Sequence, residues 1–71
     1  MKREEWIAEF AAAIGAEAPD PGTVDELLDL AAVAAHASER TAAPIACYLA
    51  GRDGRPIDEL KAIADDVAAG G

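Results

Sequence analysis

The stretch Thr23-Val24-Asp25-Glu26-Leu27-Leu28-Asp29-Leu30-Ala31-Ala32-Val33-Ala34-Ala35-His36 decides the fold class. Val24, Leu27, Leu28, Ala31, Ala34 and Ala35 share one broad face at helical spacing, while Asp25, Glu26, Asp29, His36 and Arg40 gather on the other. Thr23 and Glu26 form the pattern T-x-x-E, in which hydroxyl and carboxylate each satisfy a backbone amide without a helical partner, so a helix is expected to open at Thr23. This segment is the central helix of the expected fold.

On its N-terminal side, Ala18-Pro19-Asp20-Pro21-Gly22 reads as a linker, because two prolines and a glycine do not continue a helix. Before it, Trp6, Ile7, Phe10 and Ile14 lie within one arc, Glu5 and Glu9 lie opposite, and Gly15 supplies a stop, giving a first helix over about residues 3–14. On the C-terminal side, Ser38-Glu39-Arg40 is either a last turn or a loop, and Thr41 is placed to cap a third helix with Pro44 in its first turn. That helix is expected to be short and to end near Gly51, with Ile45, Tyr48 and Leu49 packed inward. Its nearly all-round apolarity suggests burial on several sides or an interface. Arg52-Asp53-Gly54-Arg55 reads as a turn.

A fourth helix begins at Pro56, carries Asp58 and Glu59 in its positive first turn, aligns Ile57, Leu60, Ile63, Ala64 and Val67, and ends at Gly70-Gly71. No strand-like alternation, repeat or low-complexity tract appears, so the expectation is all-α: a compact, bundle-like fold of four short helices in one domain over residues 1–71. Trp6, Phe10, Leu27, Leu28, Ile45, Leu49, Leu60 and Val67 are expected to share its core. The core is thin, because alanine makes up much of the 52% hydrophobic content and the aromatic residues are one Trp, one Phe and one Tyr. A domain this small buries only about 60% of its unfolded surface, so a partner or a homodimer contact would add stability.

A net charge of -8 disfavours nucleic acid and anionic membrane surfaces, whose binding relies on Lys and Arg displacing counterions. No apolar run approaches the roughly 20 residues of a membrane span, and Met1-Lys2-Arg3 is followed by Glu4-Glu5 rather than an apolar signal core, so a cytoplasmic location is expected. The lone Cys47 agrees with a reducing compartment.

Catalysis finds little support in these residues. His36 and Cys47 are the one His and one Cys, yet His36 belongs to a charged face and Cys47 to an apolar helix, where a free thiol acts as a small core residue. A zinc site needs more ligands at set spacings, so neither metal nor cofactor is expected. Leu49-Ala50-Gly51-Arg52-Asp53-Gly54-Arg55 has the glycines of a phosphate loop but lacks the preceding strand. Acyl carrier domains are also small, acidic and helical, but their attachment serine opens the second helix, whereas Ser38 sits between Ala37 and Glu39 near that helix's end. A helix-turn-helix reading of residues 24–51 conflicts with the charge.

Through Leu27-Leu28-Asp29-Leu30-Ala31, Ala35-His36, Glu39-Arg40, Ala42-Ala43-Pro44-Ile45, Leu49 and Gly51, with Trp6 near the start, the chain resembles a small actinobacterial helical domain. Members of that family occur alone or fused to MobA-like molybdenum-cofactor nucleotidyltransferases. The resemblance implies an accessory role near molybdopterin dinucleotide synthesis and carries no activity of its own. The expected function is therefore a non-catalytic interaction or regulatory domain, with a MobA-like enzyme as partner and His36, Arg40, Thr41 and Pro44 as the contact patch. In a purely structural reading of the same stretch, Arg40 pairs with a helix-two acid and Pro44 shapes the turn. The alternative function is a small-molecule or cofactor-binding helical module, which a deep pocket beside His36 would favour.

Overall fold

The computed structural model describes residues 1–70 and contains four α-helices in this order: α1 (Arg3–Ile14), α2 (Pro21–Ala37), α3 (Ala42–Asp53) and α4 (Ile57–Ala68). No strand occurs among the described residues, so the fold class is all-α with four helices, as expected. The molecule measures 38 × 23 × 18 Å.

Each helix boundary follows from local chemistry, and two of them differ from expectation. Helix α2 opens at Pro21, two residues before Thr23. Asp20 is its N-cap, and the Asp20 carboxylate accepts from the Thr23 amide at 2.8 Å. The T-x-x-E capping box does not form. Proline is harmless at the first helical position, where its missing N–H has no intrahelical partner and its fixed φ is already helical, so Asp20-Pro21 outcompetes Thr23 as the start signal. The connection between α1 and α2 is therefore residues 15–20, and Pro21 and Gly22 belong to α2.

Helix α3 runs to Asp53 rather than ending near Gly51, taking in half of the expected turn. The stop is Gly54, whose φ of 85° lies in the left-handed region and whose amide donates to Ala50 O at 3.2 Å. Gly51 stays helical, because an interior glycine costs only about 1 kcal/mol and Gly54 offers the cheaper terminus. At the other end Thr41 is the N-cap residue, but its hydroxyl donates to Glu39 Oε2 at 3.5 Å and makes no bond to the helix amides. Residues 38–41 form a short loop, which resolves the end of α2 at Ala37. Gly15, at φ 75°, terminates α1 as expected. Helix α4 uses Pro56 as its N-cap and stops at Ala68, with Gly70 just past the end; Gly71 lies outside the described residues.

Helix α2 is the centre, with α3 and α4 both packed on it. Its inward arc centres on Leu30, which is 4% exposed, and not on Leu28, which is 47% exposed. Two helices cover α2, so the buried arc is wider than the single face read from the sequence. Helix α1 makes no packing of comparable extent and turns Ala11 toward the rest of the chain.

The expected core is corrected by these contacts. Trp6, Phe10, Leu28, Ile45, Leu49 and Val67 are all exposed, Leu27 and Leu60 are half-buried, and the buried apolar residues are Ala11, Leu30 and Ala50. Tyr48 is exposed as well, so the three α3 residues expected inside all lie on the surface. Alanines explain the pattern: Ala34, Ala46 and Ala50 let helices approach closely, and the close seam holds methyl groups while the larger side chains stand outside it.

Candidate docking surface

Helices α3 and α4 pack on the same helix and pack far more on it than on each other. Between them runs an open groove of about 810 Å³, floored by Leu30, Val33 and Ala34 of α2 and walled by Ile45 and Leu49 of α3 and Ile63 and Val67 of α4. Ile45, Leu49, Ile63 and Val67 are 60%, 58%, 44% and 72% exposed. Four large aliphatic side chains thus face solvent along one trough. Polar groups, including Ser38, Glu39, Thr41 and Asp53, join the lining toward the two ends of α3.

A second apolar surface lies on α1. Trp6 and Phe10, one helical turn apart, stack with ring centroids 5.1 Å apart and an interplanar angle of 14°, while remaining 56% and 51% exposed. Ile14 continues the stripe at 61% exposure. Offset stacking of this kind strengthens an aromatic pair beyond simple area burial and holds both rings in one orientation.

The expected patch occupies the corner from α2 to α3. His36 lies in the last turn of α2, Arg40 and Thr41 in the connecting loop and Pro44 in the first turn of α3, and all four are exposed. Thr41 alone lines the groove. Arg40 takes part in none of the ion pairs among the described residues, which join Arg3 to Glu4, Arg55 to Asp53 and Lys61 to Asp65. Its expected pairing with a helix-two acid therefore does not form. Pro44 is the third residue of α3, where the missing amide is tolerated.

The remaining candidates do not converge. Cys47 is half-buried, its Sγ donates to Leu27 O at 3.8 Å, and burial raises its pKa, so the neutral thiol prevails near neutral pH. That hydrogen bond ties it to α2's backbone rather than to His36. Among the described residues no group of three or more His, Cys, Asp or Glu side chains is arranged to hold a metal ion. No described helix is long and apolar enough to cross a membrane. Asp53 takes two guanidinium bonds from Arg55, 2.7 Å from Nε and 2.9 Å from Nη2, and these lower its pKa. The Arg52 guanidinium lies 5.7 Å from the Tyr48 ring centroid.

The groove was not among the surfaces expected from the sequence. Its signal was present in the aligned Ile63 and Val67 of α4 and the all-round apolarity of α3. The expectation places Ile45, Leu49 and Val67 in a shared core and leaves the apolarity of α3 open between burial and an interface, whereas two helices sharing one central helix leave a trough unless a fourth fills it.

An all-helical domain with an open apolar groove is what fold and surface together define. The chain belongs to the family described as Domain of unknown function (DUF6457), whose profile matches residues 1–69. No curated protein matches the chain, and no solved structure does.

Proposed function

We propose that this is a non-catalytic protein-interaction or regulatory accessory domain, and that its partner is a MobA-like nucleotidyltransferase of molybdenum-cofactor biosynthesis. The observation that carries the interaction reading is the large apolar side chains left uncovered, from Trp6 and Phe10 on α1 to Ile45, Leu49 and Val67 around the groove. Apolar surface of that extent is characteristic of protein-binding faces. Resemblance to domains fused to MobA-like enzymes supplies the identity of the partner.

The enzyme docks at the corner formed by His36, Arg40, Thr41 and Pro44. Arg40 is exposed and outside every ion pair among the described residues, so its five donors are free for a partner carboxylate, which a guanidinium binds through two parallel bonds. A small-molecule site is the weaker reading. The groove's volume falls within the roughly 300–1,000 Å³ of ligand sites, and its lining reaches Ala37 next to His36, but such sites enclose most of their ligand, whereas this trough is open along its length and His36 does not line it.

Titration calorimetry of the domain against the purified nucleotidyltransferase tests the proposal. Binding is expected for the wild type, with at least tenfold weaker binding for Arg40→Glu and unchanged helicity. No nucleotide transfer is expected from the domain alone. Absence of heat with the wild type contradicts the partnership, and equal affinity for the two proteins contradicts the corner.

A further inference from the structure

We infer that the α3–α4 groove is filled by helix α1 of a second copy of this chain, in a symmetric dimer where each protomer lays its Trp6–Phe10–Ile14 stripe into the other's trough. The chain exposes 5262 Å². A folded monomer of its 7.3 kDa mass exposes about 4,200 Å², so roughly 1,100 Å² lies beyond what a closed globule presents. A standard protein interface removes about 800 Å² from each partner. The excess is thus of the size that one dimer contact covers.

Shape assigns that excess to two complementary parts. Trp6, Phe10 and Ile14 follow the i, i+4, i+8 spacing by which an amphipathic helix anchors in a groove, and at 1.5 Å per residue they span about 12 Å. The groove walls from Leu60 to Ala68 on α4 and from Ile45 to Asp53 on α3 each cover eight residue steps, about 12 Å, and match that length. Helix α1 turns Ala11 to its own chain; Phe10 and Trp6 lie about 100° and 140° round the helix from it, and Ile14, about 60° away, is still 61% exposed. Glu4, Glu5 and Glu9 lie off the stripe at helical spacing, so docking it buries no carboxylate. At its start Lys2 is a cation in none of the ion pairs among the described residues, and Glu39 at one end of the groove is an acid outside them. A two-fold axis that seats each stripe in the other's groove closes the assembly at two copies, whereas an open head-to-tail arrangement would show as masses above the dimer. The inference assigns to a second copy the apolar surface that supports an interaction domain, and leaves to the enzyme the corner, which shares only Thr41 with the groove and whose Arg40 does not line it. It therefore fails or stands separately from the enzyme partnership: Arg40→Glu is expected to leave the dimer intact.

Sedimentation equilibrium at micromolar concentration, read together with Trp6 emission, tests it, since Trp6 is the single tryptophan. The wild type is expected at twice the chain mass, with emission that shifts to the red in step with dissociation on dilution. Phe10→Asp and Leu49→Asp, both at exposed positions, are each expected to weaken the dimer at least tenfold while keeping wild-type helicity. Leu49→Asp should also leave Trp6 emission red at every concentration, although it changes no residue of α1. If Leu49→Asp loses helicity, Ile45→Ser takes its place. A wild-type monomer throughout this range overturns the inference. So does a dimer that survives both substitutions, or a Trp6 emission that ignores dissociation, because each places the contact elsewhere.

Discussion

Leu30 and Trp6 exchange the roles their sizes suggest. Leu30 is 4% exposed beneath two helices, so Leu30→Ala removes packed methyl groups and opens a cavity, with an expected cost of about 2–5 kcal/mol. Trp6 is 56% exposed and stacks chiefly on Phe10 of its own helix, so in dilute solution Trp6→Ala is expected to cost about 1 kcal/mol. Urea unfolding at low protein concentration separates the two, and a Trp6→Ala loss equal to that of Leu30→Ala contradicts this account. The difference was not legible in the sequence because periodicity reports which side chains share a face and is silent on whether another helix covers it. The four corner residues show the converse. Their exposure was legible, since His36 and Arg40 sit on a charged arc and Pro44 opens a helix, whereas Arg40's lack of an acid partner depended on where the loop of residues 38–41 turns.

At the scale of the element, helix ends are governed by the best local chemistry among competing signals. Asp20 caps α2, and its pKa is lowered first by the Thr23 amide bond. A lowered folded-state pKa means that this stabilisation is present above the carboxyl's ordinary value and is lost as pH falls through the lower folded value. Asp20→Ala is therefore expected to lower the melting temperature at neutral pH, with the deficit vanishing in acid. Glu26→Ala, which would break a capping box, is expected to melt close to wild type. A larger effect at Glu26 than at Asp20, measured by circular dichroism across pH, contradicts the assigned start. Element type and number were legible for all four helices, because amphipathic spacing and the glycine stops agree. The two displaced boundaries came from reading Pro21 as a breaker and Gly51 as a stop, when the first is tolerated at a helix start and the second within one.

For the whole molecule, three helices form the packed unit and α1 stands apart with an aromatic stripe. A sequence of this composition announces a thin core, yet whether a thin core closes on itself or waits for another chain depends on the angle at which α3 and α4 leave α2. Their placement leaves the groove open, and the central claim follows: the fold exposes its largest apolar side chains for contact with a second copy of this chain. The thermal midpoint as a function of protein concentration tests this most directly, since folding coupled to association is stabilised by mass action. Over a hundredfold rise in concentration the free energy per dimer grows by about 2.7 kcal/mol, half of it per chain, and for a domain of this size each kcal/mol raises the midpoint by roughly 4–8 °C. The account predicts a midpoint that climbs by several degrees across that range; a midpoint that stays constant contradicts it.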